Sequence, residues 1–439
     1  MLCVMLTATG CNSNTDKKDD ITSATTSVSA EKETSAVETT LQTEQTTEET
    51  TVEVIPSETE ATILELNKKE LYNCEWSEEY AIPLVETEYS AILLGNEDAE
   101  RYPELAAVLT EIADAQEDYM KDDFDMLTEL AKEKISYGTD GFTPLESTYD
   151  RQVRRADSKV LSILVDSYYY NGVFDSRSMW GENYDVETGK EIMFSDVVTD
   201  IDGFAQVAEN QLFNYAGAET FSNDNIIDEY FEMYGADGTH WTLDYNGVTV
   251  YFSAGEIAGA GFGAMNVTVT FAEYPTLFNP EYTNVAESYI VALPMKSAFY
   301  TDLDGNGSCE ELNVFDSYDE ENDYYATLYI STAEVYYAES FWAYACEPYY
   351  IKTADGKNYI YLFTELETQM YLYVYEITNS TINKVGEANL SPFYDDGISA
   401  VLTDPNNMHF DIFSDEAGGG ISEGNDFFAI SIDGMPAQG

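Results

Sequence analysis

The stretch WTLDYNGVTVYFS, residues 241–253, carries the clearest fold signal in the chain. Apolar and polar residues alternate on both sides of Asn246-Gly247. An Asn-Gly pair between two alternating runs is a strong signal for a β-hairpin. The run MNVTVTFAEY follows from Met265 and alternates in the same way. This part of the chain therefore predicts a hairpin followed by a further strand.

Strand and helix patterns alternate before this hairpin. The segments TEYSAILL (87–94) and KVLSILVDSYYY (159–170) predict strands, the second long enough for the centre of a sheet. Between them, Pro103 opens an apolar stripe that predicts a helix ending near Gly138. A second helix is predicted over roughly residues 201–215, after a hairpin around Thr188-Gly189.

A polar and aromatic segment follows the predicted central strand. Asn171-Gly172 predicts a tight turn, and the residues up to about 181 predict a long loop. Its aromatic and apolar side chains form a candidate ligand-contacting surface, or they cover the edge of the adjacent sheet. The candidate residues are Tyr170, Phe174, Met179 and Trp180.

The order of these segments resembles the extracellular domain of the RsiV anti-sigma factor family, a domain also attached to some peptidoglycan deacetylases (PdaC-type). The resemblance covers about residues 65–285 and is most specific at 185–196 and at 243–258, with its Gly-Val-x-x-Tyr-Phe core. It implies an α+β fold with helices packed on antiparallel sheets. Where the family usually carries a Gly-Gly-Ala-His type turn, this chain has Asn171-Gly172-Val173-Phe174. No role of that histidine is therefore carried over.

From about residue 286 to residue 439 the pattern predicts a mostly antiparallel all-β domain, with NYIYLFTE and MYLYVYEI as its clearest strands. Strands that are apolar on both faces suit the inside of a sandwich or propeller-like sheet. A tyrosine stripe could also stack on sugar rings. The aromatic residues that share a face are Tyr359, Tyr361 and Phe363 in the first strand, and Tyr371, Tyr373 and Tyr375 in the second.

The segment TDLDGNGSCEEL, residues 301–312, predicts a calcium-type loop. Alternate oxygen ligands around a turn that glycine permits are what Ca²⁺ requires. The loop departs from an EF-hand because Asn313 stands at position 12 and strands flank it. The alternative is an acidic turn whose side chains cap their own backbone. The predicted ligands are Asp302, Asp304, Asn306, Ser308 (through its carbonyl) and Glu310.

The N-terminus is typical of a bacterial lipoprotein signal peptide. A short apolar run ends in Ala8-Thr9-Gly10 before Cys11, which is the predicted lipidation site of domain 1–11. Residues 12–62 are rich in Thr, Ser and Glu and predict a disordered acidic stalk. Together they indicate a protein on the extracellular face of a Gram-positive cytoplasmic membrane, held there only by its lipid. The alternative is a chance cysteine in a degenerate leader.

The net charge limits the possible partners, and the cysteines allow one disulfide. The chain has 83 acidic and 19 basic residues, a net charge of −64, which repels nucleic acid and anionic membranes and attracts cations. The cluster Arg151, Arg154, Arg155 and Lys159 could meet an anionic wall polymer or pair with nearby acids. A Cys309–Cys346 disulfide is possible in an exported protein.

The sequence argues against an enzyme. Its two histidines, His240 and His409, lie in different predicted domains and near no nucleophile motif. We therefore expect a non-enzymatic ligand-binding or envelope-sensing module with a cationic protein partner such as lysozyme. The alternatives are a carbohydrate- or peptidoglycan-binding module and, third, a wall-active hydrolase.

Overall fold

The computed structural model describes residues 61–139, 141–221, 223, 225–294, 298–319, 324–366, 369–390, 398–409 and 427–438. Cys11 and residues 12–60 of the predicted stalk lie outside these ranges, so the lipid anchor and the stalk stay predictions. Glu60–Gly439 form one compact unit. The predicted division at residue 285 also stays a prediction. Within the described ranges, no helix combines the length and apolar character needed to cross a membrane.

Six α-helices and four short 3-10 turns occur in the described ranges. The helices are α1 (Asn96–Arg101), α2 (Pro103–Ile135), α3 (Phe194–Val197), α4 (Ile201–Ala216), α5 (Ile226–Tyr234) and α6 (Pro280–Thr283). The 3-10 turns are Ala218–Thr220, Ala236–Gly238, Ala260–Phe262 and Pro275–Leu277.

The strands of the first half, in chain order, are β1 (Leu66–Ser77), β2 (Ile82–Leu94), β3 (Leu145–Ala156), β4 (Val160–Tyr170), β5 (Asp175–Asp185), β6 (Trp241–Leu243), β7 (Gly247–Phe252), β8 (Met265–Thr270) and β9 (Tyr289–Ala292). Those of the second half are β10 (Ala298–Thr301), β11 (Glu310–Asp319), β12 (Tyr324–Ser331), β13 (Tyr336–Ala343), β14 (Ala345–Lys352), β15 (Asn358–Leu366), β16 (Gln369–Thr378), β17 (Thr381–Leu390), β18 (Ile398–Val401), β19 (Met408–His409), β20 (Phe427–Ile430) and β21 (Pro436–Gln438).

The first sheet has six strands in the order β18-β1-β2-β3-β4-β5. Neighbouring strands in this sheet are antiparallel, except β2 and β3, which are parallel. Because parallel neighbours need a long crossover, the chain passes between them through α1 and α2. α2 buries Leu127 and Ala131 against Leu84 and Leu145 of the sheet. The predicted helix is therefore confirmed, although Tyr119, which lies at the spacing of this apolar stripe, is exposed.

The segment after β4 corrects the sequence prediction. The tight turn at Asn171-Gly172 is confirmed: Gly172 has φ 78°, and Asn171 Oδ1 accepts the backbone N–H of Val173 at 3.0 Å. The residues expected to form a long loop instead form β5, which pairs with β4 along its whole length. β5 is the last strand of its sheet, and such a strand needs little apolar alternation. The predicted hairpin at Thr188-Gly189 is reduced to a turn closed by one bridge, Tyr184↔Glu191.

The second sheet, β6-β7-β8, confirms the opening hairpin. The Asp244 N–H donates to the Gly247 carbonyl at 2.9 Å. α4 and α5 pack over this sheet in a shared apolar core. The first sheet approaches closely here, because a Cβ built on Gly181 of β5 would lie 1.6 Å from the Trp241 carbonyl oxygen. Only glycine permits this contact between β5 and β6.

The later strands form a sandwich. The sheets β10-β11-β12-β13 and β17-β16-β15-β14-β9 are antiparallel throughout and face each other across a core that includes Phe299, Leu328 and Leu362. The other face of the five-stranded sheet packs against β19-β20-β21. Tyr375 faces the first core and Tyr361 the second, as the alternation predicted. The predicted α+β region followed by antiparallel β structure is confirmed.

Strand β18 brings a late segment of the chain next to its first described strand. β18 pairs with β1, with Leu66 opposite Val401. Beyond it, the Thr403 hydroxyl donates to the Leu64 carbonyl at 2.8 Å. A late segment of the chain therefore completes the first sheet.

Candidate functional site

The predicted calcium-type loop joins β10 and β11, the strand flanks expected from the sequence. Asp302 organises it. One of its carboxylate oxygens accepts the Gly305 and Asn306 N–H groups at 2.7 and 3.1 Å, and the other accepts the Gly307 N–H at 2.9 Å. Gly305 and Gly307 have φ of 74° and 87°, where residues with a Cβ are strained. The loop is thus held by its own side chains, as the alternative interpretation expected.

The same loop also gathers hard oxygen ligands. One carboxylate oxygen each from Asp302, Asp304 and Glu310 lies within 4.8 Å of the others. Burial raises the pKa of Glu310, the Leu303 N–H lowers it, and the carboxylates of Asp304 and Asp302 raise it further. Asp302 Oδ1 already accepts two N–H groups, but Asp302 Oδ2 accepts only one and keeps a lone pair for a cation. The residues therefore fit a divalent oxygen-seeking ion such as Ca²⁺.

The remaining two predicted ligands have a different role in the loop. Asn306 Oδ1 accepts the Ser308 N–H at 2.7 Å, and both residues are exposed. The amide oxygen of Asn306 therefore caps the turn in this arrangement. Coordination by Asn306 and Ser308 stays a prediction.

The predicted ligand surface at β5 is divided by the strand. Its members are Tyr170, Phe174, Met179 and Trp180. Met179 and Trp180 are consecutive in β5, so their side chains point to opposite faces of the sheet. The Trp180 ring meets the edge of Tyr149 at 6.0 Å, and the Phe174 ring lies 6.2 Å from that of Tyr169. The four residues do not form one continuous surface, and ligand contact by any of them stays a prediction.

The arginine cluster is internal. Arg151 pairs with Glu182 at 2.9 Å and Arg155 with Asp157 at 2.7 Å, and all four side chains are largely or fully buried. Pairing with neighbouring acids, the second of the two sequence interpretations, is therefore correct for these arginines. Buried cations of this kind hold the fold together and do not face a wall polymer.

Arg154 joins the first two sheets. Its guanidinium forms two hydrogen bonds with Asp244, at 3.2 and 3.1 Å, and donates to the Ala292 carbonyl at 3.1 Å. Burial alone would lower the pKa of Arg154, but the facing Asp244 carboxylate outweighs it and holds the pKa above its ordinary value. The side chain is therefore a permanent internal cation.

The cysteines in the described ranges are not bridged. Cys309 and Cys346 are free thiols, so the disulfide considered from the sequence is absent among these residues. Burial raises the pKa of the Cys309 thiol to about 12, and the carboxylates of Glu273 and Asp302 contribute in the same direction. Cys309 therefore stays in its neutral form near neutral pH.

The outer side of α2 carries a surface that the sequence analysis missed. Seven exposed carboxylates recur there at steps of three or four, so they lie along one side of the helix. At about 1.5 Å per residue, the row is about 33 Å long. We name it the acidic ridge. Its members are Glu111, Asp114, Asp118, Asp122, Asp125, Glu129 and Glu133.

No ion pair between described residues includes a ridge carboxylate. Two lysines close to α2 pair with acids outside the ridge, Lys69 with Glu117 and Lys132 with Glu75. Lys121, exposed on α2 four residues before Asp125, adjoins the ridge in sequence, and it forms no described ion pair with a ridge carboxylate. Like charges four residues apart each destabilise a helix by about 0.2–0.5 kcal/mol. The ridge therefore weakens α2 slightly and presents a row of free negative charge to solvent.

The signal for the ridge was present in the sequence. The same helical periodicity that predicts the buried stripe of α2 also places its acids on the opposite side. A run of charges on a helix is usually no more than a solvated surface, so the sequence alone does not single this one out. Whether these acids form ion pairs depends on the tertiary structure, which local sequence patterns do not reveal.

Comparison with known proteins gives a limited result. No family model and no curated protein matches the chain. Among solved structures it is similar to a DUF3298 family member from Bacteroides fragilis NCTC 9343, with 14% identity, 51% of this chain and 98% of that chain covered, and a TM-score of 0.35. It is also similar to a DUF3298 family protein from Pseudomonas aeruginosa PAO1, with 14% identity, 49% and 96% covered, and a TM-score of 0.32. At these values the likeness supports no conclusion about activity or partners.

Proposed function

We propose that this protein is a lipid-anchored, extracellular binding module that captures cationic proteins or peptides without transforming them. The acidic ridge of α2 is its docking surface. The observation that supports this most directly is the row of seven exposed carboxylates that form no ion pair with any described residue. Such a row attracts a cationic partner over a long range and accelerates its association.

The distribution of cations supports the same proposal. Three of the four clustered basic residues are arginines locked in buried ion pairs, so they do not neutralise the surface. The sequence as a whole has 83 acids against 19 basic residues. A partner with positive charge therefore meets an uncompensated negative surface on α2.

The resemblance of residues 65–285 to the RsiV-type extracellular domain agrees with this role, because it implies envelope sensing or association. Cys11 would provide the lipid and residues 12–62 the stalk. Lysozyme, a small cationic protein that acts on the envelope, is a suitable partner.

The loop between β10 and β11 forms the second part of the proposal. We propose that it takes Ca²⁺ through the clustered carboxylates of Asp302, Asp304 and Glu310, separated in the chain from the ridge. Burial and then the carboxylates of Asp304 and Asp302 raise the pKa of Glu310, and an ion at this position would relieve the repulsion among the three carboxylates. Its role would be to stiffen the hairpin β10–β11, not to perform chemistry.

The ridge is tested by binding of lysozyme to the full chain, measured by calorimetry in about 0.05, 0.15 and 0.5 M salt, since screening shortens from beyond 10 Å to a few ångströms over this range. The test variant is D114N/D118N/D122N/D125N. Exposed ion pairs contribute about 0.5 kcal/mol each, so we expect roughly 30-fold weaker binding and a smaller salt dependence.

The matched control removes four exposed acids from α4, α5 and the turn between them: D202N/E219Q/D228N/E232Q. It changes the net charge equally and should retain most of the affinity. Equal losses in both variants would show a response to total charge, which contradicts docking on the ridge. Absence of any binding at 0.15 M salt would contradict the proposed function itself.

A further inference from the structure

The outer face of the sheet β10–β13 differs from the rest of the surface. Alternation assigns its side chains, since Leu312, Val314, Leu328 and Ile330 point into the sandwich core. Among the side chains that the structure describes, the outward residues of β11, β12 and β13 are Glu311, Asn313, Phe315, Ser317, Thr327, Tyr329, Ser331, Tyr336, Ala338, Ser340 and Trp342. Only Glu311, at the start of β11, is charged among these eleven, and its carboxylate accepts a hydrogen bond from Asn313. In the chain as a whole, 23% of residues are charged. We name this surface the aromatic face.

Its rings form two groups. In the first, Phe315 and Tyr329 are stacked with centroids 5.0 Å apart, and the Tyr336 ring lies 5.8 Å from that of Tyr329. In the second, Trp342 lies 5.8 Å from Tyr324, which adjoins the face at the start of β12. Tyr336 is 60% exposed and Trp342 is 49% exposed. These rings cover no core and remain open to solvent.

Small polar side chains separate the two groups. Thr327 and Ser340 are directly opposite each other across β12 and β13, and Ala338 lies beside them. Tyr336 and Trp342 are six residues apart on one strand, so about 20 Å separates them at about 3.3 Å per residue. The surface is therefore long and flat, with a ring at each end and hydroxyl groups between them.

This chemistry matches an uncharged, extended ligand. Sugar rings pack their C–H groups on aromatic rings and exchange hydrogen bonds with hydroxyl and amide groups. A cationic protein would gain little from a face whose one described carboxylate, Glu311, lies at its end and already accepts a hydrogen bond from Asn313. An anionic polymer is repelled by the chain as a whole. Large exposed aromatic patches on soluble proteins commonly mark binding sites.

We propose that the aromatic face binds an uncharged linear polysaccharide, with Tyr336 and Trp342 as the stacking positions at its two ends. This site is separate from the acidic ridge and does not depend on capture of cationic proteins. Because no ion pair contributes, the affinity is insensitive to salt. The two surfaces therefore give the protein two independent ligands of opposite character.

The test is retention of the full chain on insoluble cellulose, chitin and β-1,3-glucan, and its mobility shift in gels that contain soluble glucans, in 0.05 and 0.5 M NaCl. We expect retention on at least one polymer, equal at both salt concentrations. Tyr336→Ala and Trp342→Ala should each weaken it at least tenfold, and Trp342→Phe should keep part of it because a ring remains.

Two matched controls are Tyr137→Ala and Tyr119→Ala, which remove tyrosines that are 85% and 61% exposed, at the end of α2 and on it. They should leave retention unchanged, and all variants should show the wild-type thermal midpoint. Retention on none of the polymers, or retention that survives loss of both rings, overturns the proposal. Self-association of the chain that Tyr336→Ala abolishes also overturns it, because the occupant would then be a second copy.

Discussion

Charged side chains are buried and paired at the centre of the first sheet, whereas on the outer side of α2 they are exposed and, within the described ranges, unpaired. In the sheet, Arg151, Arg154 and Arg155 are buried and each meets a carboxylate. On α2, the ridge carboxylates are exposed and unpaired among the described residues. A charge inside a protein must be compensated, because leaving it alone costs several kcal/mol. A charge in water costs little and remains available to a partner.

The difference shows how a chain with so few cations uses them. The three arginines on β3 form hydrogen bonds inside the fold. They connect β3 to β5, to the turn before β7, and to the segment around Tyr282. The surface is left to the acids. The charge of −64 is therefore not spread evenly over the molecule, since β3 contains a cationic centre and α2 an anionic exterior.

The largest effect is expected from breaking a buried pair. Arg154→Met leaves the Asp244 carboxylate buried beside two threonine hydroxyls and no cation. Removing one partner of a buried pair destabilises by about 3–5 kcal/mol, which equilibrium unfolding in urea would measure. The double variant Arg154→Met/Asp244→Leu should recover part of this loss. A loss below about 1 kcal/mol in the single variant would contradict the contrast drawn between interior and surface.

An intermediate effect is expected at the loop between β10 and β11, where three carboxylates crowd and form no ion pair with a described residue. Ca²⁺ at about 10 mM should raise the free energy of unfolding by about 1–3 kcal/mol, if the loop binds in the 0.1–1 mM range typical of extracellular modules. Calorimetry should show binding to the wild type and none to Asp302→Ala. Asp202→Asn, outside the loop, should bind normally. Lack of binding at millimolar Ca²⁺ removes the metal from the proposal and leaves a self-capped turn.

The smallest effect is expected on the ridge and has the opposite sign. Asp118→Asn removes two like-charge contacts four residues apart, with Asp114 and Asp122, so it should stabilise the fold by about 0.5 kcal/mol. Asp202→Asn is the matched control. Asp202 lies in the first turn of α4, where a carboxylate favours the helix, so its loss should destabilise slightly. Destabilisation by Asp118→Asn would mean that the ridge has partners within the fold.

Periodicity predicted the regular elements well. The apolar stripe of α2, the Asn246-Gly247 hairpin and the two-sided strands β15 and β16 all follow from local spacing. β5 was missed because its residues are polar and it forms the end of a sheet, so neither alternation nor apolar content marks it. The parallel pairing of β2 with β3 and the return of β18 depend on contacts between distant segments, which local patterns do not encode.

The candidate sites also differ in whether local sequence or the tertiary fold determines them. The calcium-type loop is local, so the sequence predicted its side-chain geometry, including the alternative that its acids cap the turn. The acidic ridge could have been found by applying the helical period to acids. The aromatic face combines three strands whose register is set by a bulge at Ser317/Tyr318 and another at Tyr325/Thr327. Which residues of β11, β12 and β13 share a side was therefore decided only by the fold.

The pairing of β18 with β1 has a consequence for how the molecule is made. β1 is the first strand of the described residues to leave the ribosome, yet its second neighbour is synthesised more than 300 residues later. Until then one edge of β1 is open, and open edges recruit other strands. A fragment that stops near residue 285 would keep that edge permanently, so we expect it to aggregate more readily than a chain that includes β18. During synthesis, β1 would therefore have to be kept from pairing with other chains until β18 has been made.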